Sequence, residues 1–181
     1  MVVPELPEVE TVRCGLAPVM EGAVIDDVDA RRPDLRFPLP ADFTDRLVGQ
    51  RVESLDRRGK YLIAHLSSGE SLIMHLGMSG RFTIEERLPA RPGDFAHAHE
   101  CDPKHDHVVF RMTGERPASV TYNDPRRFGF MDLAPAGGLA TSPHFAKMGP
   151  EPLGNSFSPG VLKAALIKKR GFDRRRLALQ R

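Results

Sequence analysis

Near the start of the chain, Pro4-Glu5-Leu6-Pro7-Glu8-Val9-Glu10 sets a potential amine nucleophile beside a carboxylate. A proline whose nitrogen is free is a secondary amine with an α-amino pKa near ~8, low enough for a useful fraction of free base at neutral pH. Lysine is almost wholly protonated there. Attack of such an amine on a sugar anomeric carbon gives an iminium ion, which acidifies the neighbouring C–H and splits one hard step into two. Pro4 is then the candidate nucleophile and Glu5 its acid/base partner. The same residues also suit a plain helix start, with a proline in the first turn and glutamates at its positive end, and Pro7, Glu8 and Glu10 fit that pattern.

Three further segments place chemistry-bearing side chains at the ends of apolar strands. Arg57-Arg58-Gly59-Lys60-Tyr61-Leu62 sets a lysine at the mouth of one. Met74-His75-Leu76-Gly77-Met78-Ser79-Gly80 ends another in a Gly-flanked turn with Met78 at its tip. Asp124-Pro125-Arg126-Arg127-Phe128-Gly129 presents an arginine and a ring in the same manner. Each has a bland alternative: Lys60 a surface charge, Met78 a core filler, Arg126 to Phe128 a turn leading into a strand. A fourth cluster, His97-Ala98-His99-Glu100-Cys101 with Lys104-His105-Asp106-His107, holds imidazoles and a thiol that could bind Zn²⁺ tetrahedrally. Its spacing matches no standard structural site.

These residues must be positioned by the elements around them. Val9, Val12, Leu16 and Val19 recur at helical spacing, so a helix is predicted from Pro7 to about Glu21, kinked or ended by Pro18. Strand patterns follow at Ala23–Val28, Arg51–Leu55, Tyr61–Leu66, Leu72–His75, Arg81–Glu85, Val108–Met112, Ala118–Asn123 and Phe128–Leu133. Gly, Pro and Asp clusters separate most of them, as in a β-sandwich or barrel. Leu88 to Asp106 is too long for a hairpin loop and reads as functional or mobile. Two helices are expected afterwards, one around His144–Met148 and one with Ser158 as N-cap and Pro159 as first residue. In the second, Val161, Leu162, Ala165 and Leu166 form the apolar face. The fold class is therefore mainly β with α: a two-sheet sandwich of about eight strands with an N-terminal helix, then an incomplete helical domain. The boundary falls in Gly149-Pro150-Glu151-Pro152-Leu153-Gly154-Asn155, giving domains of residues 1–149 and 150–181.

Composition is that of a globular protein, with 181 residues, 40% hydrophobic and 28% charged. Two cysteines without a CxxC pairing give no disulfide framework and suit a reducing compartment. No stretch resembles a signal peptide or a membrane span. The net charge of +2 hides an asymmetry: Leu162 to Arg181 carries eight Lys/Arg against Asp173 alone, a net +7, which leaves −5 on the rest. A basic tail on an acidic body suggests a polyanion, most simply nucleic acid; a solvated helix face is the alternative.

Together and in this order, the four motifs resemble the bacterial formamidopyrimidine-DNA glycosylases, base-excision repair enzymes acting on oxidised purines. The resemblance runs from Pro4 to about Lys169 and includes Lys104-His105-Asp106-His107-Val108 and Gly149-Pro150-Glu151-Pro152-Leu153. The sister group acting on oxidised pyrimidines typically begins differently and lacks the Met78 turn and the Arg-Arg-Phe segment. The resemblance implies a bifunctional glycosylase and AP lyase using an N-terminal-proline Schiff base with β,δ-elimination. It assigns catalysis to Pro4, Glu5 and Lys60, with Glu8 in support. Met78, Arg126 and Phe128 would fill the space left by the everted nucleotide, and His105, Arg126 and Lys169 would contact DNA. A nucleotide must leave the stack to be reached, at a cost of a few kcal/mol, and inserted side chains repay part of it. The implied partner is double-stranded DNA with oxidised bases, bound by a monomer in a bacterial cytoplasm, nucleoid-associated and with no membrane role. No cofactor and no metal is expected in this chain, since the family's structural zinc finger would lie beyond residue 181.

Two departures bear on activity. In the family the proline directly follows the initiator Met, whereas Val2 and Val3 intervene here. Initiation at a GUG codon for Val3 would make Pro4 the second residue of the product. Family members also continue through a helix–two-turn–helix unit and a zinc finger, so the chain is expected to be a fragment, a frameshifted product or a truncated paralogue. The rival readings are a catalytically inactive damaged-DNA-binding paralogue and a His/Cys-loop metal-binding module.

Overall fold

The structure is a computed structural model that describes residues 4–86, 102–149 and 158–168, with side chains described to Lys163. The His97–Cys101 part of the His/Cys cluster, most of the 88–106 loop, most of the boundary segment after Gly149, Lys169 and the basic end lie outside the described residues.

Helix α1 spans Leu6–Met20 and buries Val9, Leu16, Val19 and Met20. Pro18 neither ends nor is excluded from it: the helix continues to Met20, and the Glu21 N–H closes the last turn on the Ala17 carbonyl at 2.9 Å. Strand β1 (Val24–Ala30) follows, then a loop and a five-residue helix α2 (Phe43–Leu47). Seven more strands complete two sheets: β2 (Val52–Arg58), β3 (Tyr61–Leu66), β4 (Ser71–His75), β5 (Arg81–Glu86), β6 (Asp106–Thr113), β7 (Ala118–Asn123) and β8 (Phe130–Ala134). One sheet runs β1-β6-β7-β5 and the other β2-β3-β4-β8, and every neighbouring pair is antiparallel. The two-sheet sandwich with an N-terminal helix is therefore as expected, and its eight strands lie close to the stretches predicted from the sequence.

Both sheets feed one core. Ile25, Val28, Phe110, Val120 and Tyr122 come from the first, and Leu55, Leu62, Ala64, Met74 and Met131 from the second. The second sheet is buried on its other face as well, where Ile63 and Ile73 are buried and Tyr61, Phe130 and Phe145 meet edge to face. Double coverage explains why β3 and β4 are almost continuously apolar instead of alternating.

Two expectations need correction, and one helix was not expected at all. The helix expected around His144–Met148 is a turn: the Phe145 and Ala146 N–H groups both reach the Ser142 carbonyl, at 3.0 and 2.9 Å, and the turn propagates no further. Pro143 and Gly149-Pro150 leave too few residues to offset helix nucleation. Strand β8 begins at Phe130, not Phe128, because the residues before it are spent on a turn in which Arg127 takes a left-handed φ of 55°. Helix α2 went unread because a single turn carries only the Phe43/Leu47 pair as a periodic signal.

The described contacts divide the chain into Met1–Ala146 and Lys147–Arg181. In the second unit α3 spans Pro159–Lys168, and the Val161 N–H reaches the Ser158 hydroxyl at 3.3 Å, the cap expected of that serine. Val161 and Leu162, read as part of an apolar face, are exposed. Among the described residues no helix is long and apolar enough to cross a membrane.

Candidate active site

Glu5 is the N-cap of α1, in extended backbone at φ −98° and ψ −174°, and Pro7 occupies the first turn. Its N–H, one of the orphan donors at a helix start, is taken by the Glu8 carboxylate at 3.0 Å. Glu8 thus fixes the backbone of Glu5, and the Glu5 side chain closes the reciprocal half of a capping box. That side chain meets Lys60, with Nζ 2.7 Å from Oε2. Lys60 stands in the two-residue turn between β2 and β3, where Gly59 supplies a φ of 57° that a hairpin this tight requires.

The two elements are held together by a clamp that the sequence reading did not identify. Glu10, on α1, accepts from Arg13 at 2.7 Å and from Arg57 of β2 at 2.9 Å, while Arg13 also donates to the Leu55 carbonyl at 3.2 Å. The Arg13 hydrogen bond, with help from Arg57, holds the Glu10 carboxyl down at about 2 against the opposing effect of burial. By bolting α1 to β2, the clamp brings Glu5 to Lys60.

The other side chains arrive from the same end of the second sheet. Across that sheet the last register row is Arg58, Tyr61, His75 and Phe130. The turn after His75 carries Met78, and the turn before Phe130 carries Arg126 and Phe128. These turns touch: a Cβ on Gly77 would lie 2.3 Å from the Phe128 carbonyl carbon, so only glycine allows this approach. Phe128 is exposed, with the Arg126 guanidinium 4.7 Å above its ring centroid.

Pro4, Lys60, Met78, Arg126 and Phe128 line a single cavity of about 760 Å³. Its wall also holds Arg36, Arg127 and His75, so cationic side chains outnumber the one acid, Asp34. The sequence reading quoted His75 within its motif but gave it no role, although its place at a strand end before a glycine turn was a usable signal. The Gly77 N–H donates to His75 Nδ1 at 3.0 Å, which leaves Nε2 as the N–H of the neutral ring. Burial first, then Lys60 and Arg36, lowers the His75 pKa. His105 is outside the cavity, in a 3-10 turn at Pro103–His105, and its carbonyl accepts the Asp124 N–H at 3.0 Å. Lys169 lies outside the described residues. Among those described, no group of three or more His, Cys, Asp or Glu side chains could hold a metal ion.

Fold and site together define a class, an antiparallel two-sheet protein whose candidate catalytic groups gather where its first helix begins, beside a cation-lined cavity. Residues 3–131 match the formamidopyrimidine-DNA glycosylase N-terminal domain, and the chain belongs to that family. It is 55% identical over 168 residues to the formamidopyrimidine-DNA glycosylase of Rhodopseudomonas palustris, covering 92% of this chain and 57% of that protein. Against the Methylobacterium nodulans enzyme it is 56% identical over 181 residues, covering 92% of this chain and 60% of the relative. The chain thus spans somewhat over half the length of the relatives it matches. The Lactococcus lactis formamidopyrimidine-DNA glycosylase bound to abasic-site DNA superposes with a TM-score of 0.71 at 29% identity, over 90% of this chain and 57% of that one. The same enzyme with DNA containing an oxidised pyrimidine gives 0.69 at 30% identity, over 91% and 57%.

Proposed function

We propose that this chain is the catalytic part of a DNA glycosylase and AP lyase that removes oxidised purines from duplex DNA. The observation that carries the reading is that Pro4 and Lys60, the latter paired with Glu5 at 2.7 Å, line the same cavity as Met78, Arg126 and Phe128. Reactive groups and wedge side chains on one cavity suit a site that both everts a nucleotide and attacks its sugar. Membership of the glycosylase family supports the same reading.

In this mechanism Pro4, in the form of the chain where its nitrogen is free, attacks C1′ as the damaged base departs. The resulting iminium acidifies C2′–H; loss of that proton expels the 3′ phosphate, and a second elimination releases the 5′ phosphate. Glu5 handles the sugar-ring proton. Lys60, already paired with Glu5, supplies a positive charge that can hold a phosphate or assist protonation at the sugar. Glu8 supports both by fixing the Glu5 backbone. Met78 and Phe128 fill the vacated stack, and Arg126 donates to the orphaned partner base. Phosphate contacts are assigned to Arg126, His105 and Lys169. The protein acts as a monomer on double-stranded DNA.

Borohydride reduction tests this directly. A chain beginning at Pro4, mixed with an 8-oxoguanine duplex and borohydride, is expected to yield a covalent protein–DNA adduct. Lack of any adduct rejects the iminium mechanism and favours the second reading, a damaged-DNA-binding paralogue without catalysis.

A further inference from the structure

At the junction of the Met78 turn and the Arg126–Phe128 turn lies a carboxylate that no step of the chemistry uses. Asp124 is fully buried. Its Oδ1 accepts the Ser79 hydroxyl at 2.5 Å and the Arg126 N–H at 3.2 Å. Its Oδ2 accepts the Gly129 N–H at 2.9 Å and the Tyr122 hydroxyl at 3.2 Å. The backbone is tied down too: the Asp124 carbonyl accepts from the Arg127 N–H at 3.2 Å and from His107 Nε2 at 2.9 Å.

All four carboxylate donors are neutral. A buried ion is costly unless its lone pairs are met, and here neutral hydrogen bonds rather than a cation meet them. Those donors come from both turns: Ser79 follows Met78, while Arg126 and Gly129 bracket Phe128. The Tyr122 hydroxyl completes the joint, and glycine is required beside it, since a Cβ on Gly129 would lie 1.8 Å from that oxygen and one on Gly80 2.4 Å from it. Burial, then the Asp124 charge, pushes the Tyr122 hydroxyl well above its usual range, so it remains a donor.

We propose that Asp124 is a positioning residue that joins the Met78 turn to the Arg126–Phe128 turn, so that three side chains enter DNA as one rigid wedge. The inference rests on the wedge roles given above and adds what makes them act together. Separate loops would each have to be ordered on binding. A joint set in advance removes that entropic burden from the encounter. Asp124→Asn keeps the shape but turns an acceptor into an amide donor facing N–H and O–H groups, so the joint opens.

The test uses the full 181-residue chain and a duplex carrying a tetrahydrofuran abasic analogue opposite 2-aminopurine, whose fluorescence rises when it unstacks. A second substrate holds the same lesion in a bubble, where the neighbouring bases are already unpaired. The wild-type chain is expected to brighten the duplex probe. Asp124→Asn is expected to lose most of that brightening and to weaken duplex binding by about tenfold relative to bubble binding, the scale of a buried donor left unmet. Ser79→Ala, which removes a single donor, is expected to shift the ratio the same way by a smaller factor, and it decides the matter if Asp124→Asn does not fold. A general loss of folded protein lowers both affinities equally and leaves the ratio unchanged. Folded variants with wild-type brightening and ratio overturn the joint while leaving the proposed function intact. A wild type that gives no brightening, or a Met78→Ala variant that brightens the probe as much as the wild type does, overturns the wedge reading itself.

Discussion

The Glu5–Lys60 ion pair has both partners well exposed to water, a setting in which such pairs add little to stability. Under the proposed function its place beside Pro4 gives it a chemical role. Glu5→Gln is expected to leave the thermal midpoint unchanged while lowering single-turnover cleavage by about 10²- to 10⁴-fold, the range for losing a positioned acid/base group. Pro4 carries a sharper condition. In the 181-residue sequence its nitrogen is bonded to Val3, and the amide lone pair is delocalised and cannot attack. Removal of Met1 would free the Val2 amine, two residues away at roughly 3.3–3.6 Å per extended residue, whereas attack needs atoms about 3–3.5 Å apart. A form beginning at Pro4 is expected to give the borohydride adduct at that residue, and the Met-Val-Val-Pro form to give little. Peptide mapping decides; equal trapping by both, or an adduct on Lys60, would contradict the assignment.

At the scale of elements, the clamp of α1 on β2 makes the site sensitive to acid. A carboxyl whose folded pKa is depressed from 4.5 to about 2 stabilises the fold above the higher value, and that contribution disappears as pH falls through the interval. Urea unfolding between pH 5 and pH 2 should therefore show a loss of stability that is smaller in Glu10→Gln, which has no proton to take up. The joined turns give a second expectation. Gly77 combines a φ of 64° with a backbone neighbour 2.3 Å from any added Cβ. Gly77→Ala should destabilise by about 1–3 kcal/mol or more, the cost of a non-glycine held in left-handed backbone plus the clash. Equilibrium denaturation measures it.

For the molecule as a whole, the strands were legible as short stretches set off by Gly, Pro and Asp, as Ala118–Asn123 is by Gly114, Pro117 and Asp124. Lys60, Met78, Arg126 and Phe128 were legible as candidates because each stands near a strand end beside glycine or proline. What escaped depends on partners distant in sequence. Glu10 reads as one more first-turn glutamate until Arg57 arrives from β2, and Asp124 reads as the opening of an Asp-Pro turn until Ser79 and Tyr122 close on it. The segment at His144 looked helical because local pattern cannot see that a single turn suffices to lay Phe145 on the sheet.

The register of β8 against β4, with His75 opposite Phe130, also sets the order in which the protein becomes itself. Helix α1 and the hairpins β2–β3 and β3–β4 join neighbours in sequence and can form early, whereas β8 must return across the intervening β5, β6 and β7 to pair. Distant pairings of this kind are the slow ones, since the chain between them must be closed before they reward it. On a ribosome, Lys60 and Met78 emerge long before Arg126 and Phe128 do. The cavity, whose wall needs the turn that leads into β8, is therefore expected to be among the last features built, after Lys60 and Met78 are already in place.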